Sequence, residues 1–395
     1  MKEKFLRELA DIQTGPFGSQ LHKEDYVADG TPIVTVEHLG NKMFSEQNLP
    51  RVSNTDKNRL KKYALKQGDI VFSRVGSVDR CSYVDQKHDG WMFSGRCLRV
   101  RPTSEIDSEY LYYYFCLEET KQFVRNIAVG ATMPSINTKL LGEVVVTFPE
   151  LEQQKRISGI LSAIDSKIEV NQKINDNLEQ QAATYFQELF INNANPVWQI
   201  STISDLGTVV GGSTPSKTKP EYYTNNGIAW ITPKDLSINK SKFISHGEND
   251  ITELGLKNSS ATVMPKGTVL FSSRAPIGYI AIASNEVTTN QGFKSVIPYS
   301  EIGTAFVYFF LKHSLPVIES AASGSTFKEI SGSAMKNIPA IIPDRNTLDQ
   351  FNSFCAPIFA QQKILEEQNH SLAMLRDSLL PKLMSGAIDI ASIQL

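Results

Sequence analysis

Residues 68–74, with the sequence Gly-Asp-Ile-Val-Phe-Ser-Arg, return later in the chain as 267–272, Gly-Thr-Val-Leu-Phe-Ser, followed by Ser273-Arg274. Residues 30–35 match 227–232 in the same way, and further pairs separated by 194 to 200 residues cover almost the whole 395-residue chain. A period this long exceeds that of solenoid repeats and is long enough for a domain with an appended element. The repeat therefore predicts two similar domains related by pseudo-two-fold symmetry.

Each copy is predicted to have an α+β fold. Short apolar runs such as 69–72, 144–146 and 268–271 have the composition of strands and are bounded by Gly, Pro and Ser. A helix is predicted after these runs, at 109–124 in the first copy. Its aromatic cluster has two interpretations, a platform on which bases stack or a helix buried in the core. The equally apolar counterpart at 306–311 favours the core helix.

A long helix follows each domain, and its apolar residues are spaced alternately by three and four positions, which is typical of a coiled-coil seam. The same register, moved by 197 residues, fits both helices. Polar residues interrupt the middle of each seam, where buried amides fix the register at a cost in stability. The predicted seam residues are Ile157, Leu161, Ile164, Ile168, Asn171, Asn175 and Leu178 in the first helix and Phe354, Ile358, Leu365, Leu372, Leu375 and Leu379 in the second.

A helix of about 40 residues is roughly 60 Å long, so each helix needs a partner along most of its length. We expect the two helices to pair as an antiparallel coiled coil; the alternative is that each helix packs separately on its own domain. Pro357 is expected to bend the second helix or delay its start. The predicted order is a first domain at 1–150, a first helix at 151–193, a second domain at 194–345, a second helix at 346–385 and a C-terminal tail at 386–395.

The chain has a net charge of −2, but residues 57–101 contain 11 Lys and Arg against four Asp. This local excess of positive charge is compatible with a solvated face or with a surface that binds phosphates. The four cysteines have no C-x-x-C spacing, so neither a disulfide framework nor a zinc site is expected. A polar start and the absence of any run of 18 apolar residues predict a cytoplasmic protein without membrane contact.

Motifs of common enzymes are missing from the sequence. It lacks the phosphate loop G-x-x-x-x-G-K-[ST], the dinucleotide turn G-x-G-x-x-G, the nucleophile elbow G-x-S-x-G and the zinc motif H-E-x-x-H. The target-amine tetrapeptide of DNA methyltransferases and the acidic cluster of PD-(D/E)xK nucleases are also missing, and the six histidines are scattered singly. We therefore expect a protein that has no catalytic residues, metal or cofactor of its own.

Small polar loops and arginines at strand ends are the candidate contacts to nucleic acid. Ser73-Arg74 and Ser273-Arg274 place a guanidinium at the same position of both copies, as bidentate contact with guanine or phosphate requires; a structural ion pair is equally compatible. Loop 211–217 offers hydroxyls, amides and an ammonium group to phosphates. Residues 93–96 and 289–292 differ in their polar groups, which favours two unlike targets. The candidates are Ser19, Lys23, Arg74, Arg80 and Arg96 in the first copy and Ser213, Thr214, Ser216, Lys217, Lys234, Arg274, Gln291, Thr326 and Lys328 in the second.

In their order and duplication these motifs resemble the specificity subunit of type I restriction-modification systems. The resemblance covers the whole chain and rests on 211–216 (Gly-Gly-Ser-Thr-Pro-Ser), 265–274 (Pro-Lys-Gly-Thr-Val-Leu-Phe-Ser-Ser-Arg), 289–292 (Thr-Asn-Gln-Gly) and 148–154 (Phe-Pro-Glu-Leu-Glu-Gln-Gln). It implies two target-recognition domains, each reading one half of a split, asymmetric site in double-stranded DNA, while the helices set the unread spacer. It also implies two modification subunits that methylate adenine at N6 with S-adenosylmethionine, and restriction subunits that use ATP and Mg.

Two alternatives remain open from the sequence. One is a duplicated coiled-coil scaffold that organises protein partners without sequence-specific DNA binding. The other is the recognition subunit of a system in which methyltransferase and nuclease are fused. Salt-dependent binding to duplex DNA distinguishes the scaffold from the two DNA-reading alternatives, because phosphate contacts release counterions.

Overall fold

The computed structural model describes residues 1–17, 20–324 and 328–388 of the chain. Two compact units are formed: Met1–Glu169 together with the chain from Ser371 onward, and Val170–His370. Both units mix helices and strands, so the predicted α+β class is confirmed. Each unit contains a segment of both long helices, and these segments are described unit by unit below.

The first unit contains sheets, short helices and most of the first long helix. Its strands are Lys2–Phe5 (β1), Ala10–Thr14 (β2), Tyr26–Val27 (β3), Thr31–Val34 (β4), Arg51–Val52 (β5), Ile70–Ser73 (β6), Cys81–Tyr83 (β7), Met92–Phe93 (β8), Cys97–Pro102 (β9) and Val145–Phe148 (β10). Its α-helices are Leu6–Leu9 (α1), Asn54–Arg59 (α2), Ser108–Cys116 (α3), Glu118–Ile127 (α4), Thr138–Gly142 (α5) and the start of Leu151–Gln187 (α6).

The second unit repeats most of these elements in the same order. Its strands are Gln199–Thr202 (β11), Gly207–Gly211 (β12), Tyr223–Thr224 (β13), Ile228–Ile231 (β14), Phe243–Ile244 (β15), Asn249–Ile251 (β16), Val269–Ser273 (β17), Ile277–Ala283 (β18), Thr288–Thr289 (β19), Lys294–Pro298 (β20) and Pro339–Ile342 (β21). Its α-helices are Pro233–Ile238 (α7), Glu253–Lys257 (α8), Thr304–His313 (α9), Leu315–Ala321 (α10), Gly332–Lys336 (α11) and most of Arg345–Met384 (α12).

The strand orders of the two units correspond sheet by sheet. The first unit has β2-β9-β6-β7, β3-β5-β4-β8 and β1-β10; the second has β12-β20-β17-β18-β15, β13-β16-β14-β19 and β11-β21. The parallel pair β4 and β8 is repeated by β14 and β19. The second unit differs by β15, which extends one sheet along β18. The internal repeat of the sequence is therefore a repeat of topology.

The repeated stretch that begins at Gly68 and at Gly267 is a turn followed by a buried strand in both units. The two glycines have φ angles of +90° and +88°, a region that residues with a side chain rarely adopt. Every residue of the following strands, β6 and β17, is buried. A buried apolar strand entered through a glycine turn thus forms the centre of each unit.

The aromatic helix predicted at 109–124 is two helices, α3 and α4, separated at Leu117, whose backbone is extended. The side chain of Asp107 caps α3 by accepting from the Tyr110 amide at 2.8 Å. Tyr110 and Tyr113 are buried in the core, which confirms the core-helix interpretation over a stacking platform.

In the second unit, α6 and α12 run antiparallel. Asn171 of α6 contacts Asn369 of α12. Further toward the C-terminal end of α6, the Tyr185 ring lies 4.5 Å from the ring of Phe354, which is nearer the N-terminal end of α12. Phe186 of α6 packs against Phe351 of α12 at 5.8 Å between ring centroids. The same direction holds in the first unit, where the Asp165 carboxylate of α6 accepts from the Arg376 guanidinium of α12 at 2.8 Å. The pairing excludes helices that pack only on their own domains.

The residues predicted for the seam of α6 are all buried or half-buried. Ile157, Leu161 and Asn171 are buried, and Ile164, Ile168, Asn175 and Leu178 are half-buried along the same face. The Asn171 amide nitrogen donates to Asn369 Oδ1 at 2.9 Å. A buried asparagine bridging the two helices is a register-fixing contact of coiled coils.

Four of the six seam residues predicted for α12 are buried or half-buried. Ile358 and Leu365 are buried and Leu372 and Leu379 half-buried, whereas Phe354 and Leu375 are 39% and 47% exposed. The Phe354 ring still packs against Tyr185 of α6. Cys355 and Gln362 are buried as well, so the buried face of α12 is partly polar.

Pro357 does not delay the start of α12. The helix begins at Arg345, ahead of Pro357, and continues through this proline.

No helix within the described residues is both long enough and apolar enough to cross a membrane.

Candidate nucleic-acid interface

Three chain segments of the second unit meet at the end of β17. The Ser213 amide donates to the Thr289 carbonyl at 2.9 Å, and the Ser273 amide donates to the Gly292 carbonyl at 2.7 Å. A side chain at Gly212 would place its Cβ 2.0 Å from the Asn290 carbonyl oxygen, so only glycine permits this approach. Loop 211–217, loop 289–292 and the Ser273-Arg274 step are thereby held together by backbone contacts.

Polar side chains from these segments form a continuous rim. The Thr214 hydroxyl donates to the Gln291 side-chain oxygen. Trp230 Nε1 donates to the Ser213 carbonyl at 3.0 Å, and the Tyr223 hydroxyl donates to the Pro215 carbonyl at 2.6 Å, which fixes the loop from beneath. Beyond Pro215 the loop is exposed, with Ser216 bonded to the Thr218 hydroxyl at 2.9 Å and Lys217 in solvent.

The guanidinium of Arg274 is partly neutralised within this rim. Its Nη1 lies 3.2 Å from Glu329 Oε2, and Lys294 Nζ lies 3.6 Å from Glu329 Oε1. The side chains of Arg274 and Glu329 are 38% and 36% exposed, so the pair is open to solvent and weak. Lys328 is exposed beside the pair. The ion-pair interpretation of this arginine is therefore correct in the free protein.

The first unit repeats the backbone arrangement with other side chains. The Arg74 amide donates to the Arg96 carbonyl at 2.8 Å, and the Gly15 amide donates to the Cys97 carbonyl at 3.2 Å. A Cβ on Gly95 would lie 2.5 Å from the Pro16 carbonyl oxygen, which again requires glycine at the crossing. The segments around 15–17, 74 and 93–96 thus correspond to those that meet in the second unit.

Arg74 differs from Arg274 in its surroundings. Its Nη1 donates to the Gly95 carbonyl at 3.1 Å, and its guanidinium carbon lies 5.8 Å from the centre of the Phe17 ring. No carboxylate among residues 1–17, 20–324 and 328–388 pairs with it. Phe17 is 61% exposed, and Arg96 is exposed nearby. Burial raises the pKa of Tyr26, an effect that the charge of Arg96 opposes.

The side chains of the remaining candidates bond elsewhere, or the residues lie outside the described part of the chain. The Arg80 guanidinium donates to the Leu39 carbonyl, while the Arg80 backbone carbonyl accepts from the Ser73 amide at 2.9 Å. Lys234 forms an exposed ion pair with Glu248 at 2.5 Å, although its neighbour Pro233 adjoins Gly292. Ser19 and Thr326 lie outside the described residues, and the structure describes Lys23 only by its backbone in the turn Lys23–Asp25.

The positive charge of residues 57–101 is partly engaged inside the first unit. Arg101 pairs with the buried Asp69 at 2.6 Å, and the buried Arg99 pairs with Asp11. Desolvation lowers the pKa of Arg99. Arg59 and Lys87 also pair with acids, at 2.7 Å and 2.5 Å. These four side chains have acidic partners within the unit, whereas Arg74 of the rim has none among the described residues.

Sequence reasoning missed one pair of residues, Lys42 and Lys242. Lys42 lies in the loop before β5 and Lys242 in the loop between α7 and β15. Each has its carbonyl bonded to the same strand position, by the amides of Tyr83 and Ile282 at 2.8 Å and 2.7 Å. The available signal was the short match of residues 42–45, Lys-Met-Phe-Ser, to 242–245, Lys-Phe-Ile-Ser.

Two copies of one α+β topology, each with a loop rim that carries arginine and each joined to paired long helices, define a duplicated recognition protein. Comparison with known proteins identifies the class more closely. The profile of the type I restriction modification DNA specificity domain matches residues 1–180 and 196–369, so the chain belongs to this family. The predicted family is confirmed, and the chain is a non-catalytic specificity component.

Individual relatives agree with this assignment. The MjaIX specificity subunit of Methanocaldococcus jannaschii is 43% identical over 162 residues, which are 40% of this chain and 37% of that protein. The HindI specificity subunit of Haemophilus influenzae is 24% identical over 83% of this chain and 88% of that protein. The crystal structure of a type I S subunit from M. genitalium matches at a TM-score of 0.60 and 17% identity, over 97% of this chain and 95% of that one, and supports the fold.

Proposed function

We propose that this chain is the DNA-reading subunit of a type I restriction-modification complex and that it recognises a bipartite, asymmetric site in double-stranded DNA. The first unit contacts one half-site through the rim of Arg74 and Arg96, and the second contacts the other through Thr214, Gln291 and Arg274. The paired helices determine the length of the unread spacer between the half-sites.

One observation carries the proposal: the same backbone crossing occurs in both units and presents unlike polar groups. In the first unit the crossing offers two arginines beside an exposed aromatic ring. In the second it offers a hydroxyl, a carboxamide and an arginine balanced by Glu329. Arginine suits guanine or phosphate and a carboxamide suits adenine, so two scaffolds of one shape are suited to different base sequences.

The chemistry belongs to the partners in this proposal. Two modification subunits bind the chain and methylate adenine at N6 with S-adenosylmethionine, and restriction subunits add ATP- and Mg-dependent cleavage. The whole complex acts in the cytoplasm. Binding energies of two linked domains add only when both half-sites have the correct separation, so the specificity subunit selects both sequence and spacing.

A map of N6-methyladenine across the genome of the source cell, with and without this gene, tests the proposal. We expect one bipartite motif to lose methylation when the gene is removed, while other methylated motifs are unchanged. Expression of the chain with its modification subunits in a host that lacks the motif should create it. A failure to create any new methylated motif in that host, with the complex assembled, would contradict the proposal.

A further inference from the structure

In the second unit, Lys242 lies at a junction between the recognition sheets and both long helices. Its side chain is 5% exposed, its ammonium pairs with the Glu179 carboxylate of α6, and Nζ donates to Gln362 Oε1 of α12 at 2.5 Å. The backbone amides of Lys242 and Phe243 donate to the two carboxylate oxygens of Glu366 at 2.8 Å and 3.1 Å. One short loop segment therefore binds α6 and α12 at once.

Aromatic and charged groups enclose this ammonium. Nζ lies 4.1 Å from the centre of the Phe359 ring and 4.8 Å from that of Tyr308. The Tyr308 hydroxyl and Lys312 both bind Glu179 Oε1, at 3.3 Å and 2.5 Å. Burial works against the charge of Glu179, but Lys242 and Lys312 outweigh it and hold the pKa of this carboxyl below its usual range. Removal of one partner of such a buried ion pair strongly lowers the stability of the fold, because the other charge remains buried without a partner.

Lys42 has the equivalent position in the first unit. Nζ donates to Ser162 Oγ of α6 at 2.8 Å and to Glu109 Oε1 of α3 at 2.8 Å. The side chain is 13% exposed, and its contact with Tyr113 continues to α6, because the Tyr113 hydroxyl donates to Asp165 Oδ2 at 2.6 Å. Asp165 also binds Arg376 of α12, so this lysine too is connected to both helices.

The two junctions share a position and differ in their partners. Both lysine carbonyls accept an amide from the corresponding strands β7 and β18, which shows that the residues are equivalent in the repeat. The side-chain partners, however, are a serine, a glutamate and a tyrosine for Lys42 and a glutamate with a glutamine for Lys242. The same lysine occurs in both units although its partners differ. This favours one role shared by both side chains over separate packing roles in each unit.

We propose that Lys42 and Lys242 are positioning residues that lock each recognition domain to both long helices, and that this lock fixes the spacer length the protein accepts. The inference rests on the proposed function. Both half-sites add to the binding free energy only if the two recognition domains are held at one separation and rotational phase. Adjacent base pairs are about 3.4 Å apart along the DNA axis, so a spacer changed by one base pair shifts one half-site by this distance. A recognition domain released from α6 and α12 would tolerate more than one spacing.

The test uses the full chain assembled with its modification subunits and duplexes that carry the site found by methylation mapping. Spacers of the native length and of one base pair more or less are compared for the wild-type protein and Lys242→Met. The methionine keeps most of the length of the side chain and removes its charge. We expect the ratio of methylation rates on native and altered spacers to fall on the order of five- to tenfold in the variant.

Lys240→Met is the matched control, because Lys240 is exposed two residues away and lies over the Tyr279 ring at 4.7 Å. It should keep the wild-type spacer ratio. If Lys242→Met does not assemble, Lys42→Met and Glu366→Gln provide the same comparison, and unchanged spacer ratios in these variants overturn the proposal. Equal loss at all spacers in an assembled variant means a purely structural role and also overturns it. A wild-type complex that ignores both half-sites contradicts the proposed function instead.

Discussion

Replacement of Arg74 by alanine should weaken DNA binding more than the equivalent replacement of Arg274. Arg74 donates one hydrogen bond, to the Gly95 carbonyl at 3.1 Å, and has no carboxylate partner among the described residues. An arginine has five N–H donors, so most of this guanidinium is free to bind guanine or phosphate. A bidentate contact of this kind contributes about 1–3 kcal/mol, and each 1.4 kcal/mol corresponds to about a tenfold change in Kd. We therefore expect Arg74→Ala to raise Kd by about five- to 150-fold.

Arg274 must first leave Glu329, its partner at 3.2 Å. Both side chains are more than a third exposed, and an exposed pair is worth about 0.2–1 kcal/mol. The free energy of this ion pair is subtracted from the binding free energy that a contact between Arg274 and DNA contributes. The loss of affinity in Arg274→Ala should therefore be smaller than in Arg74→Ala, by up to about fivefold.

The assay is fluorescence anisotropy of the complex with modification subunits, on duplexes that contain the intact site or one scrambled half-site. Arg74→Ala should reduce affinity for the intact site and have little further effect once its own half-site is scrambled. Lys61→Ala removes an exposed charge from the same basic segment and is the control for general electrostatics. An equal or larger loss in Arg274→Ala, or an Arg74→Ala effect that persists on both scrambled duplexes, would refute the reasoning.

The other predictions concern the second rim, the helices and pH. Glu329→Gln frees Arg274 and should tighten DNA binding several-fold at low salt, with the gain disappearing at high salt because it is electrostatic; an unchanged Kd would contradict the competing ion pair. Asn171→Leu removes a buried amide whose oxygen has no hydrogen-bond partner among the described residues, and thermal unfolding should show a gain of about 1 kcal/mol. Leu161→Ala deletes a fully buried side chain of α6 and should cost about 2–5 kcal/mol in the same measurement. The pKa of Glu179 is held below its usual 4.5, so the stability it contributes is complete above pH 4.5 and is lost as pH falls through the lowered pKa; Glu179→Gln should make the unfolding temperature less sensitive to pH in that range.

The internal repeat and the first seam could be predicted because both depend on local pattern. Glycine turns before buried strands recur in sequence as they do in structure, and the apolar face of α6 follows its spacing. The second seam could not be predicted fully. Gln362 is buried through its contact with Lys242, and no periodicity of apolar residues identifies a glutamine whose partner lies 120 residues away.

The rims were predicted in part. Arg74, Arg96, Thr214, Gln291 and Arg274 were identified because polar groups at strand ends and beside glycines are visible in the sequence. The balance of charge at each rim could not be predicted from the sequence. Glu329 pairs with Arg274 from a position 55 residues away, and the first unit has no such pair among the described residues. Pairing between distant segments decides which arginine is free.

The core of the first unit includes Leu380, Leu383 and Met384, from the far end of the chain, packed with Ile157 and Leu161. A polypeptide that stopped after the first copy would leave uncovered the apolar surface against which these three residues pack. At a separation of 197 residues, the counterparts of Leu380 and Leu383 are Ala183 and Phe186 of α6. A second identical half-chain could supply them to the first, and receive the same in return. Truncation of the gene would then yield a symmetrical homodimer, and under the proposed function its DNA target would be a palindrome.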